Sequence, residues 1–220
     1  VEGIKFPSIP GFNINEATDI LLKRDFDKYR EIGEPHPFLV AKGRDFLIPF
    51  SHEHFELWTQ SLHFGAKDRL NFVDPKTNLK VGGGLDDVWL NINTNCLHIV
   101  DYKSTSQKSD KGPITLDDPW KASYKRQMDL YVWVLRKKGF HVDDVGYFLY
   151  CDGDRFSDYD FLSSTTASMN FKITLIDYKT NDTWIEPTLQ DISECLNESK
   201  RPLHSDYCEY GKFLTQSLNQ

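Results

Sequence analysis

"GGGLDDVWLNINTNCLHIVDYKST", Gly82 to Thr105, is the stretch whose reading decides the fold. "KVGGGLDDVWLNI" and "CLHIVDYKS" are apolar segments on either side of "NTN", and together they predict two strands joined by a tight turn. The hairpin ends in charge: Asp86 and Asp87 on one strand, Asp101 and Lys103 on the other. Charged side chains usually avoid the interior of apolar strands. Strand alternation sets Asp101 and Lys103 on one face with Tyr102 opposite, and brings Asp86 across from them. Two carboxylates held together repel unless something neutralises them, and a hard divalent cation with oxygen ligands does so. A lysine alongside can stabilise charge on a phosphate or orient a water. The segment therefore reads as a one- or two-magnesium site for phosphodiester cleavage. A plainer reading is an Asp101–Lys103 salt bridge at the sheet margin, contributing less than about 1 kcal/mol.

Outward from the hairpin, "NINEATDILLKRDFDKYREIG" has helical spacing, with Asn13 or Asn15 as N-cap and Gly33 and "EPHP" as the stop. "DFLIPF", broken by Pro49, predicts an edge strand. "HEHFELWTQSLHFG" predicts a second helix or helical turn, and "NFVDPKTNLK" a strand running into a turn at Asp74 to Asn78. Lys103 to Pro119 reads as a long loop, a length often tied to function. "WKASYKRQMDLYVWVLRKKGF" is the clearest helix, with basic residues in its last turn and Gly139 after it. "DDVGYFLYCDG" and "NFKITLIDYKT" predict two more strands, "EPTLQDISECLNES" a last helix, and "RPLHSDYCEYGKFL" an irregular tail. This order predicts a mixed α/β sheet flanked by helices.

The chain has 220 residues, 39% hydrophobic and 27% charged, enough for one domain with a buried core. The net charge of -7 argues against a protein that coats nucleic acid over its whole surface, yet it allows a local basic groove. No apolar run approaches the roughly 20 residues of a membrane helix, so no membrane partner is expected. No secretory leader is visible, although a chain that opens at Val1 gives that absence little weight. Cys96, Cys151, Cys195 and Cys208 are widely spaced, form no CxxC pair, and read as reduced thiols of a cytoplasmic protein.

Gly83-x-x-Asp86, then Asp101-x-Lys103, then Gln127-x-x-x-Tyr131 on the following helix closely resemble the PD-(D/E)xK nuclease superfamily, specifically its RecB-like branch, which includes CRISPR-associated exonucleases. The likeness is good over Gly82 to Tyr150 and loose in the flanks. It implies a restriction-endonuclease-like mixed sheet flanked by helices. It also implies a single nuclease domain over 1–220, with an N-terminal helical part at about 12–65, a catalytic core at about 79–150, and a C-terminal strand and helix at about 165–220. The implied activity is metal-dependent hydrolysis of DNA, as an exonuclease in repair, recombination or phage and CRISPR-related metabolism. The implied cofactor is Mg2+ or Mn2+. Asp86, Asp101 and the main-chain carbonyl of Tyr102 would be ligands, and Lys103 would help activate the attacking water. Gln127 and Tyr131 would order the site and contact DNA. Asp87, on the opposite face, would be structural.

Relatives in that branch carry a His or Glu ligand on the first helix. Here Glu16 and Asp19 are candidates for the additional ligand, with His54 (in "SHEHFELW", beside His52 and Glu56) as a rival. Some relatives hold an iron–sulfur cluster; with Cys208 alone in the matching tail segment, no such cluster is expected, because a cluster needs four ligands. Two further functions stay open at this point. One is a catalytically inactive nuclease-fold module that binds nucleic acid. The other is an enzyme that uses the same carboxylates and lysine on a different phosphate.

Overall fold

The computed structural model describes residues 13–59, 69–107, 112–200 and 202–218. The elements begin with helix α1 (Asn13–Ile32), the short α2 (Pro37–Ala41), strand β1 (Leu47–Pro49) and the single turn α3 (Phe55–Trp58). The hairpin β2 (Asn71–Val73) and β3 (Lys80–Gly82) comes next, followed by β4 (Asp87–Asn91) and β5 (Cys96–Thr105). Helix α4 (Ala122–Lys137), β6 (Val145–Gly153), β7 (Phe171–Lys179), α5 (Ile185–Asn197) and α6 (Glu209–Leu218) complete the order. The expected second helix over His52–Gly65 runs past residue 59, and the expected loop after Lys103 includes 108–111; both stretches extend outside the described residues.

The fold is mixed α/β, as the pattern predicts. A five-stranded sheet has the order β1-β4-β5-β6-β7, in which only β5 and β6 pair in parallel. That parallel pair is joined through α4, because two parallel neighbours need a crossover long enough to return the chain. Pro49, which has no N–H to give, sits on the outer strand, where a missing ladder bond costs least. Asn95 closes the β4–β5 turn at φ 56°, a left-handed conformation that asparagine tolerates better than most residues.

Alternation along β5 divides the core. Val100 and Tyr102 join Phe26 of α1, Leu39, Leu47, Trp89, Tyr147 and Leu149 in one buried cluster. Phe26 stacks on Trp89 with ring centroids 5.2 Å apart. The intervening residues Ile99, Asp101 and Lys103 face α4, whose Met128, Val132 and Leu135 are fully buried. α4 lies close to the sheet: a Cβ added at Gly146 on β6 would stand 2.6 Å from Met128 Sδ.

Two local expectations are corrected, and one element is added. "KVGGGLDDVWLNI" is not one strand. Lys80–Gly82 pairs with β2 in a separate two-stranded sheet, and the glycines release the chain before β4 begins at Asp87. Asp86 therefore stands just outside the strand. The tail is not irregular, since Glu209–Leu218 is helical despite Gly211. Sequence reading also passed over α2, which Pro37 starts and His36 caps by accepting the Phe38 N–H at 3.0 Å.

The chain forms two compact units, one of residues 1–73 and 80–182 and the other of 74–79 and 183–220. In the second unit the Asp74 carboxylate accepts the Thr77 N–H and hydroxyl at 2.9 and 2.7 Å, and Lys76 pairs with Glu186 at 3.3 Å. Cys208 Sγ lies 3.4 Å from His204 Nδ1, and all four cysteines are free thiols. No helix among the described residues is long and apolar enough to cross a membrane.

Candidate metal and phosphate site

The β4–β5 ladder stops at Asp87↔Val100. Beyond it, no strand among the described residues lies beside that edge of β5 from Asp101 onward. Asp86 folds into that gap, and its Oδ2 accepts the Tyr102 N–H at 2.8 Å. In an extended strand the N–H and C=O of one residue point to the same side. The Tyr102 carbonyl therefore also opens toward Asp86.

Asp101 is 2% exposed. Lys103 Nζ makes a short ion pair with its Oδ2, but neither carboxylate oxygen accepts a well-directed hydrogen bond. Burial pushes the Asp101 carboxyl up to about 7; Lys103 opposes this, and the Asp86 carboxyl, close enough to share a proton, adds to it. Burial likewise raises Asp86, against the pull of Lys23 and Lys103. Lys23 of α1 lies 2.8 Å from Asp19 and 3.5 Å from Asp86. Burial weighs against its ammonium, yet the two carboxylates outweigh it and hold its pKa above the ordinary lysine value. With all five groups ionised, the acids Asp19, Asp86 and Asp101 against the ammonium groups of Lys23 and Lys103 leave one net negative charge.

Gln127 and Tyr131, one turn apart on α4, face this cluster, and Gln127 Nε2 donates to Tyr131 Oη at 3.0 Å. Burial pushes the Tyr131 hydroxyl up to about 12, and the fields of Asp86 and Asp101 add to that rise. The ring lies against Gly83, where an added Cβ would stand 2.7 Å from Cε1 and 2.8 Å from Oη. Glycine at 83 is thus what lets Tyr131 come in over the chain leading to Asp86. Lys103 Nζ also lies 4.6 Å above the Tyr124 ring.

Asp87 turns to the other face. It pairs with Arg30 at 2.6 Å, accepts the Tyr102 hydroxyl at 2.7 Å and accepts Trp89 Nε1–H at 3.1 Å. Consecutive acids thus serve opposite faces of one strand end.

Asp86, Asp101, Lys103, Gln127 and Tyr131 therefore share one face, and Asp19 joins them through Lys23. Glu16 is exposed in the first turn of α1. His54 is exposed before α3, 3.6 Å from Glu53 and in ring contact with His52. Sequence reading missed Lys23; its signal was the Asp19-x-x-x-Lys23 spacing, which sets the two side chains on one helical face.

Among the described residues no three His, Cys, Asp or Glu side chains converge to hold a metal ion. The donors present are two carboxylates and a main-chain carbonyl. This set suits magnesium, which keeps several waters and binds through one or two carboxylates together with substrate phosphate. The observation that favours a cation there is a buried carboxylate beside a second one, with one lysine ion pair and no well-directed hydrogen bond, because a buried carboxylate usually has several partners. No protein-family model, curated protein or solved structure matches the chain.

Proposed function

We propose that this chain is a metal-dependent nuclease that hydrolyses phosphodiester bonds in DNA, with Mg2+ or Mn2+ held by Asp86, Asp101 and the Tyr102 carbonyl. The observation that carries the reading is the pairing of two carboxyl groups, Asp101 buried and Asp86 half-buried, beside a lysine and a Gln–Tyr pair. A salt bridge for stability alone does not account for a second acid driven against the first. The resemblance to PD-(D/E)xK nucleases names the same residues.

When bound, the divalent cation would neutralise the acids, polarise the phosphate and lower the pKa of water at the site. The chain's own groups do the rest. Lys103 sets a positive charge where the pentacoordinate phosphate gathers negative charge. Asp101 keeps that ammonium in place through their ion pair. Asp86 holds the Tyr102 amide and so fixes the edge of β5. The Gln127 side chain spends one N–H on Tyr131 and retains its carbonyl and second N–H for a substrate.

The test is incubation with end-labelled single- and double-stranded DNA in magnesium, manganese and chelator. Wild type should cleave with metal only. Asp86→Ala and Asp101→Ala should lose cleavage by orders of magnitude together with metal binding. Lys103→Ala should retain metal binding while its rate falls about 100-fold, as for other preorganised charge-stabilising groups. Full cleavage by Asp101→Ala would end the proposal. A second reading, a nuclease-fold module that binds nucleic acid without cutting, is favoured by one observation: the Lys23 ammonium already bridges Asp19 and Asp86. It requires DNA binding with no cleavage in either metal.

A further inference from the structure

A groove of about 570 Å³ opens beside the Asp101–Lys103 face, lined by Thr105, Trp120, Lys121, Tyr150 and Arg155 among others. That volume is within the roughly 300–1,000 Å³ of small-ligand clefts. Its link to the site is given by strand register. Lys103 on β5 pairs with Tyr150 on β6, and registered partners point to the same face of a sheet. Tyr150 is 2% exposed, lines the groove, and its hydroxyl has no hydrogen-bond partner. A buried hydroxyl left unpaired costs free energy unless something else satisfies it. Trp120, in contrast, is 57% exposed at the groove wall. Its ring meets Tyr124 edge-on with centroids 5.5 Å apart, and Tyr124 is the ring under Lys103. The indole is thus held at one edge by Tyr124, with the Lys121 ammonium 5.1 Å from its centroid over one face, and more than half of it is exposed to solvent.

The groove also continues into a second one that shares Gln107 and Arg155 and is flanked by Lys42 and Lys172. Of the described residues, four cations line the two grooves, Lys42, Lys121, Arg155 and Lys172, against three acids that are each held by a local partner. Asp118 pairs with Lys121 at 3.0 Å, Asp152 accepts the Gln107 N–H at 2.9 Å, and Asp154 accepts Phe156 and Ser157 N–H at 3.1 Å. Among the described residues no carboxylate pairs with Arg155 or Lys172. A flat aromatic face, a buried unpaired hydroxyl and a line of cations are what a single strand needs: a platform for the base, a polar group for its edge, and charge for the phosphates that follow.

Resting on the proposed nuclease function, we infer that the Trp120–Tyr150 groove is a subsite for one unpaired nucleobase next to the scissile phosphate, so that the substrate at this end is single-stranded. The base stacks on Trp120 and hydrogen-bonds the Tyr150 hydroxyl. Its backbone leads away past Arg155 toward Lys172. A paired base cannot enter, because its edge is already used and its faces are covered by neighbours in the stack.

The test is binding in chelator, where no cleavage occurs, of fluorescent oligothymidylate and of the same strand built from abasic sugars. Wild type should bind oligothymidylate at least about 10-fold more tightly than the abasic strand, the scale of one base–aromatic stack. Trp120→Ala and the bulkier Trp120→Leu should remove that difference. Tyr150→Phe should weaken oligothymidylate binding with no loss of melting temperature, because the hydroxyl it removes bonds to nothing in the free protein. Equal affinity of wild type for the two strands overturns the subsite, and so does an unchanged preference in Trp120→Leu. Cleavage with manganese is followed in parallel. A wild type that cleaves without base-dependent binding loses the subsite alone; one that binds in a base-dependent way without cleaving loses the nuclease alone.

Discussion

Asp101 is a carboxyl group kept from water and given one lysine and one competing acid as company. Burial lifts its pKa from the ordinary aspartate value of 3.8 to about 7 in the folded protein. The folded state therefore holds the proton more tightly than the unfolded chain. The stabilisation this gives is complete below about pH 4 and is lost as pH rises through about 7. Chelator-treated wild type should accordingly melt at lower temperature at pH 8 than at pH 5, in excess of any general trend. Asp101→Asn, which cannot ionise, should close that gap and melt higher at pH 8, by an amount on the order of 1 kcal/mol or more. Thermal denaturation across pH in chelator measures it; a variant that melts lower than wild type at pH 8 would contradict the account. Asp87, one residue from Asp86, behaves oppositely. It is buried with Arg30, Tyr102 and Trp89 as partners, so Asp87→Ala should cost about 3–5 kcal/mol by leaving the Tyr102 hydroxyl and Trp89 Nε1–H unpaired and Arg30 with Asp27 as its remaining carboxylate. Chemical denaturation measures that loss, which should be the same in magnesium and in chelator.

At the scale of elements, the approach of α4 to the β3–β4 link is set by one missing side chain. Gly83→Ala would push a methyl group into the Tyr131 ring, at 2.7 Å from Cε1. Overpacking of this kind costs about 1–3 kcal/mol and should dislodge the Gln127–Tyr131 hydrogen bond. Gly83→Ala combined with Tyr131→Leu should cost less than the sum of the single changes, since both act on one contact. Additive losses would mean that the ring moves aside freely. This contact also shows what was legible in the sequence. The strands, α4 and the grouping of Asp86, Asp101 and Lys103 follow from alternation and helical spacing, which are local. That Gly83 makes room for Tyr131, nearly fifty residues later, depends on two elements meeting and leaves no local mark. The spacing of Lys23 from Asp19 is local, but its reach to Asp86 is not: Asp86 is free to meet α1 because β4 begins only at Asp87. The tail helix escaped because Gly211 reads as a breaker, and the break before β4 was hidden by an apolar run that continues across the glycines.

For the whole molecule, the cluster couples stability to ionic conditions. A cation that binds only the folded state stabilises by mass action, about 2.7 kcal/mol at a hundredfold excess over its dissociation constant. Magnesium or manganese should therefore raise the melting temperature of wild type, and should leave Asp101→Ala where it was. Calorimetry in each metal checks this without any assay of cleavage. DNA binding should weaken steeply with added salt even though the chain carries a net charge of -7, because phosphate contacts are governed by the local cations rather than the total.

The turn of Asp86 and Asp87 to opposite faces has a consequence for how this chain can change over generations. The two faces are read from one strand end in alternating order, so the hairpin carries two messages in a single reading frame. A point substitution corrupts one message at a time. One residue inserted or deleted inside β5, between its last pairing with β4 at Val100 and Asp101, would transpose them, sending Tyr102 toward α4 and an acid or lysine into the apolar cluster around Phe26. Length variation in the lineage of this protein should therefore collect in the turn at 92–95 and in the loop after Thr105, and be absent from the few positions between Asp86 and Lys103 that lie within the strands.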